Sequence, residues 1–175
     1  CKFVAEYPMT PSSSILHTMA GWAKSHGIVV KHAEDEIAAI NMIIGAGFAG
    51  ARALTATSGG GFSLMTEACG MAGCSETPCV IIDAMRAGPS TGLPTKTEQA
   101  YLRQVLHASQ GEYPRLVMVP GDVQECFEMG FAAFNYADKY QIPVFILTDK
   151  YLSETYANIA PFDIGNSQIE RGKIL

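Results

Sequence analysis

Five short runs rich in β-branched and other apolar residues punctuate this chain, at 28–31, 53–57, 80–83, 116–119 and 144–148. Helix-compatible stretches surround them, at 12–27, 36–50, 62–72, 97–106 and 122–140. That rhythm is the strongest constraint on the fold. Strands separated by whole helices cannot pair as tight hairpins, so each crosses over to lie parallel to another strand. The expected fold class is α/β, a doubly wound, mostly parallel sheet with helices on both faces. Residues 7–11 form a loop, because Pro8 and Pro11 deny it backbone donors and helical neighbours. Ser12, Ser13 and Ser14 then supply caps for the helix that follows.

A length of 175 residues suits one full domain with a sizeable core. Apolar residues make up 48% and charged ones 17%, a lean charge fraction that suits a sheet covered on both faces and further surface buried against a partner. The net charge of −5 comes without a Lys/Arg cluster, which argues against nucleic acid and anionic membranes as partners. No run reaches the roughly 20 apolar residues of a membrane span. The five cysteines contain no Cys-x-x-Cys pair, and Cys69, Cys74 and Cys79 fit neither zinc nor iron–sulfur spacing. They read as free thiols in a reducing cytoplasm.

Chemistry concentrates at strand ends. Glu34-Asp-Glu36 follows an apolar run and opens a helix too apolar for a surface one. Ligands of open α/β sheets bind in the crevice at such a place. The bland reading is that these carboxylates complement the helix dipole, at about 0.3–1 kcal/mol each. Thr57-Ser-Gly-Gly-Gly61 is a second strand-end turn, whose backbone N–H groups could approach a ligand or merely make a tight turn. It lacks the lysine and spacing of a phosphate loop. Gly45-Ala-Gly-Phe-Ala-Gly50 has the letters of a dinucleotide fingerprint but ends a helix, the wrong context. The third place is the long segment from Met85 to Gln99, which carries Arg86, a planar donor suited to a carboxylate.

Five motifs occur in order: Tyr7-Pro-Met-Thr-Pro-Ser-Ser13, Glu34-Asp-Glu-Ile-Ala-Ala39, Gly50-Ala-Arg-Ala53, Thr55-Ala-Thr-Ser-Gly59 and Gly88-Pro-Ser-Thr-Gly-Leu-Pro-Thr95. Together they resemble the thiamine-pyrophosphate pyrimidine-binding domain of the α subunit of 2-oxoacid:ferredoxin oxidoreductases, most of all the 2-oxoglutarate branch. The resemblance implies oxidative decarboxylation of a 2-oxoacid with coenzyme A, the electrons passing to ferredoxin. It further implies a domain over residues 1–157 and a linker over 158–175 toward a further C-terminal domain of a longer subunit.

The same resemblance implies the site residues. A glutamate hydrogen-bonds the cofactor's aminopyrimidine ring, which requires a carboxyl partly withdrawn from water that can share a proton. In thiamine enzymes that glutamate lies nine residues before a helix glycine. Glu36 stands at that distance from Gly45, so Glu36 is the catalytic expectation and Glu34 the runner-up. Thr10 and Arg86 look like the pair that meets the 2-oxoacid carboxylate. Pro8, Thr57, Ser58 and Gly59 would approach the cofactor with Glu36, although the family's usual Ser-Gly-Pro-Gly turn reads Ser58-Gly-Gly-Gly61 here. No Gly-Asp-Gly diphosphate motif is present, since Gly121-Asp122 continues with Val123. By resemblance the magnesium–diphosphate site and a [4Fe–4S] cluster belong to a β subunit, and this chain holds no metal. Two other readings are the pyrimidine domain of a different thiamine enzyme and a non-catalytic Rossmann-like nucleotide-binding or scaffold domain.

Overall fold

The strands at the middle of the sheet are buried on both faces, so they read as mainly apolar runs with no solvent-facing side. In the computed structural model, which describes residues 1–165 and 167–173, six strands form one sheet: β1 (Phe3–Glu6), β2 (Val29–His32), β3 (Ala53–Thr57), β4 (Cys79–Met85), β5 (Leu116–Met118) and β6 (Pro143–Asp149). They lie in the order β2-β1-β3-β4-β6-β5 with every pairing parallel. All of β3 and β6 is buried, whereas the edge strands β2 and β5 are partly exposed.

Helices α1 (Ser13–His26) and α5 (Val123–Tyr140) cover one face, where Ile15, Met19, Ala133 and Ala137 pack on Val4, Leu54, Val80 and Val144. Helices α2 (Glu36–Phe48) and α3 (Gly59–Cys74) cover the other, with Ile40, Ile43, Phe62 and Met65 over Ala5, Ala53, Ile81 and Phe145. Short helices α4 (Leu102–His107) and α6 (Lys150–Ser153) complete the set. The doubly wound α/β expectation therefore holds.

Four expectations need correction. The strand β1 falls outside the five expected runs, yet it lies inside the sheet between β2 and β3. Three apolar residues between Lys2 and the charged Glu6 give too little pattern to register, and only their neighbours make them a strand. The three glycines after Thr57 are not a loop before a helix at 62; they form the first turn of α3 itself. The helix expected over 97–106 is reduced to α4, because residues 95–100 are solvent-exposed and have no apolar face to dock. Ser12 also caps nothing: its hydroxyl donates to the Met9 carbonyl at 2.7 Å.

The topology sets the site. From β1 the chain turns through α1 to β2 on one side, and from β3 it turns through α3 to β4 on the other. The loops after β1 and β3 therefore diverge, opening a crevice at the strands' carboxyl ends. Beyond α6 the tail folds back along α5. Phe162 stacks on Phe127 with ring centroids 4.1 Å apart, and the Gln168 carbonyl accepts from Asn135. Positions 166, 174 and 175 of the segment 158–175 lie outside the described residues. Among the described residues, no helix is long and apolar enough to cross a membrane.

Candidate active site

The three acidic residues at the start of α2 have three different environments. Glu34 is exposed. Asp35 is the N-cap, its Oδ1 accepting from the Ala38 N–H at 2.7 Å. Glu36, one residue on, is 4% exposed and turns into a cavity of about 640 Å³. Its Oε1 is enclosed with no hydrogen-bond partner. Asp35 satisfies the helix end, so capping does not account for Glu36. Buried polar atoms are nearly always paired, so an exception of this kind at a cavity wall calls for an explanation that capping does not give.

The cavity opens at the crevice between the loops after β1, β3 and β4. Tyr7 and Met9 come from the first loop, Gly59, Gly60, Ser63 and Leu64 from α3, and Arg86, Pro89, Ser90 and Thr91 from the segment after β4. Tyr101 and Gln104 close it from the α4 side. Its volume suits a cofactor-sized organic group, and its walls mix apolar faces with a few polar atoms.

Of the expected cofactor residues, Glu36 and Gly59 line this cavity. Thr57 is fully buried behind it, beside Glu36 and under Met9, whose Sδ its hydroxyl faces at 4.0 Å. Ser58 is also fully buried, but its hydroxyl donates to the Ala84 carbonyl at 2.7 Å and so ties β3 to β4. Pro8 is half-buried in the loop beside Tyr7 and Met9.

Arg86 and Thr10 come together, though through the backbone. The Arg86 guanidinium is buried and donates from Nη1 to the Thr10 carbonyl and from Nη2 to the Thr91 carbonyl, both at 2.7 Å. It thus ties the loop after β1 to the loop after β4, while its remaining donors stay available beside the cavity. The Thr10 side chain is exposed and lines a neighbouring cleft with Pro11, Ser13 and Thr155.

Tyr101 was not legible as a site residue. Its hydroxyl donates to the Arg86 carbonyl at 2.5 Å and accepts from the Arg86 N–H at 3.3 Å. Its ring fills the space over Gly59, where any Cβ would fall within 2.6 Å of the Tyr101 Oη. Nothing in the sequence marks this tyrosine, fifteen residues from Arg86, except its place at the end of an otherwise polar segment. Gly45, the spacing partner of Glu36, is exposed, and a Cβ there would meet nothing within 4 Å.

Two further carboxyls are enclosed near the strands' carboxyl ends. Both oxygens of Glu6 and of Asp83 lack partners, and burial pushes each group up to about 8. Burial likewise pushes the Cys69 thiol up to about 12. Among the described residues, no group of three or more His, Cys, Asp or Glu side chains is arranged to hold a metal ion.

Comparison with known proteins agrees with this architecture. Residues 1–173 match the family described as Pyruvate flavodoxin/ferredoxin oxidoreductase, thiamine diP-bdg, that is, thiamine-diphosphate-binding. The chain is 46% identical over 188 residues to the 2-oxoacid:ferredoxin oxidoreductase subunit alpha of Saccharolobus solfataricus, covering 99% of this chain and 30% of that protein. It is 47% identical over 150 residues to the 2-oxoglutarate synthase subunit KorA of Methanocaldococcus jannaschii, covering 86% and 41%. The chain thus spans less than half the length of these curated relatives.

Among solved structures, the 2-oxoglutarate:ferredoxin oxidoreductase from Magnetococcus marinus, with 2-oxoglutarate, coenzyme A and succinyl-CoA bound, superposes with a TM-score of 0.85 at 45% identity over 87% of this chain and 27% of that one. Benzoylformate decarboxylase from Polynucleobacter necessarius shares the fold, with a TM-score of 0.64 at 12% identity over 91% of this chain and 29% of that one.

Proposed function

Because the chain belongs to the pyruvate flavodoxin/ferredoxin oxidoreductase family through its thiamine-diphosphate-binding domain, we propose that it supplies the aminopyrimidine side of the active site in a 2-oxoacid:ferredoxin oxidoreductase, with 2-oxoglutarate as the preferred 2-oxoacid. The overall reaction takes a 2-oxoacid anion, coenzyme A and two oxidised ferredoxins to an acyl-CoA, CO2, two reduced ferredoxins and a proton. The relatives named for 2-oxoglutarate support that substrate.

The observation that carries the reading is the Glu36 carboxyl, buried at the cavity wall with one oxygen left without a partner. A ring nitrogen of an aminopyrimidine in the cavity is the kind of group that such a carboxyl, bordering the cavity, would hydrogen-bond. Thiamine diphosphate, when bound, supplies the acidic ring carbon that attacks a 2-oxo group and takes up the electrons released with CO2.

Glu36 holds the proton shared with the ring, and the protein around it keeps that proton from water. Met9, Leu64 and Tyr101 supply apolar surface near it, and a proton held in such surroundings is exchanged with a fixed partner rather than lost to solvent. Thr57, Ser58, Gly59 and Pro8 shape the wall beside Glu36. Arg86 and Thr10 meet the substrate carboxylate, the guanidinium by charge and the hydroxyl as a donor. Residues 1–157 form the cofactor-binding unit, with 158–175 leading to a further domain. A β subunit supplies the diphosphate-binding domain, its magnesium ion and a [4Fe–4S] cluster through which electrons reach ferredoxin.

The test is co-expression with a candidate β subunit and measurement of dye reduction with 2-oxoglutarate, pyruvate and branched 2-oxoacids. Glu36→Gln is expected to lower kcat by about 10²–10⁴, the range for losing a positioned proton donor or acceptor. Full activity of Glu36→Gln would sink the assignment. Activity that needed no thiamine diphosphate would sink the family-level reading of the site.

A further inference from the structure

Three consecutive glycines make up the first turn of α3, although each is less favourable in a helix than alanine by about 0.5–1 kcal/mol. The structure gives a separate reason for the last of them. A Cβ on Gly61 would lie 2.6 Å from Glu36 Oε1 and 2.7 Å from Glu36 Cγ, and closer still to Thr57 Oγ1. Oε1 ends a side chain that burial confines, and Glu36 Cγ and Thr57 Oγ1 lie close to their own backbones. Rotating the Glu36 carboxyl about its last bond would relieve the contact with Oε1 but leave the contact with Cγ. A methyl at 61 therefore requires a different Glu36 rotamer, and that moves the carboxyl.

The surroundings make the present rotamer specific. The Ser58 side chain donates to the Ala84 carbonyl instead of capping α3, so the opening N–H groups of that helix have no side-chain acceptor. Glu36 Oε1 rests against this turn, where the helix end favours negative charge. Oε1 is the enclosed oxygen, and the carboxyl as a whole borders the cavity.

We propose that Gly61 is a positioning residue for Glu36: its missing Cβ admits the one side-chain rotamer that seats Oε1 against the first turn of α3 and directs the carboxyl to the cavity. This rests on the reading of Glu36 given above. A glycine seat beside the carboxyl fixes it by shape, without a hydrogen bond that would compete with a ligand for the carboxyl.

The experiment uses the complex assembled with its β subunit and four variants: Glu36→Gln, Gly61→Ala, Thr57→Ala and the double variant Thr57→Ala/Gly61→Ala. Readouts are thiamine diphosphate affinity by calorimetry, deuterium exchange at C2 of the bound cofactor by NMR, and Tm. Thr57→Ala removes the tightest obstacle to a methyl at 61, so the double variant keeps the fold accessible even where Gly61→Ala alone does not assemble.

Relative to Thr57→Ala, the double variant is expected to slow exchange about 100-fold, the loss of a positioned proton acceptor. Its cofactor affinity is expected to fall up to about tenfold, with Tm within about 3 °C. Exchange in the double variant at the Thr57→Ala rate, while Glu36→Gln remains slow, would overturn the role of Gly61 and leave Glu36 in place. Unchanged exchange in Glu36→Gln would overturn the reading of Glu36, and the inference on Gly61 with it.

Discussion

The Arg52 network and the crevice treat buried polar groups in opposite ways. At the amino end, before β3, the Arg52 guanidinium is enclosed and engaged through Nε and Nη2. It donates to Asp138 Oδ2 and Asn135 Oδ1, both at 2.8 Å, and to the Glu170 carbonyl at 2.6 Å. Arg171 adds a second cation 3.4 Å from the same Asp138 oxygen. At the carboxyl end, Glu36 Oε1, both oxygens of Glu6 and of Asp83, and the Thr148 hydroxyl are enclosed without partners. A buried ion pair needs its partners to offset desolvation, so a network of this kind is built to hold chain together. A cluster of unfilled valences around a crevice is built to hold something else, or retains a proton. The difference separates the end that fastens the tail from the end that carries the candidate site.

The contrast is easiest to break at the fastened end. Arg52→Ala leaves Asp138 buried with only the outlying Arg171, and is expected to lower stability by about 3–5 kcal/mol. That corresponds to a fall in Tm of about 10 °C for a chain of this size. The same change should leave the cavity's ligand affinity within about twofold, because it lies at the opposite edge of the sheet. A calorimetric Tm unchanged by Arg52→Ala would show that the network only decorates the surface.

A smaller, pH-dependent effect belongs to the open end. Glu6 and Asp83 are lifted by burial to about 8, so in the folded chain each holds a proton that the unfolded chain releases near pH 4. Their contribution to stability is complete below about pH 4 and is lost as the pH rises through about 8. Asp83→Asn cannot ionise. Its Tm is expected to gain on the wild type steadily from pH 5 to pH 9, by about 3 °C or more at the upper limit. Parallel curves for the two proteins over that range would refute the buried, protonated state of Asp83.

The smallest effects distinguish the neighbours of Glu36. Asp35→Ala removes a formed N-cap and is expected to lower stability by about 1 kcal/mol. Glu34→Ala, on the exposed side, should stay within about 0.5 kcal/mol in denaturant titration. If the order of these two were reversed, the division of roles at the start of α2 would be wrong.

Much of this was readable in the chain. The runs at 53–57 and 144–148 coincide with β3 and nearly with β6, because strands buried on both faces read as mainly apolar runs. The start of the helix at Glu36 was placed correctly by its acidic entry into an apolar run. Other features left no local trace. The strand β1 is four residues long and needs neighbours on both sides to bury it. The glycines at 59–61 read as a loop because glycine is a poor helix former, yet Tyr101 over Gly59 and Glu36 beside Gly61 make that turn tolerable only without side chains. Arg86 reads as a free carboxylate clamp, but its contacts to the Thr10 and Thr91 carbonyls depend on two loops meeting.

The sequence by itself determined the parallel α/β architecture, the strand-end positions of the acidic and glycine-rich turns, and a set of motifs that resemble one family. Periodicity and turn chemistry act over a few residues, so a linear reading reaches them. Only the tertiary structure decided which of three adjacent carboxylates caps, which faces water and which is left with an unpartnered oxygen. Those outcomes depend on contacts between residues far apart in the chain, Glu36 with Gly61 and Arg86 with Thr10 and Tyr101, and desolvation is a property of the assembled neighbourhood rather than of any segment.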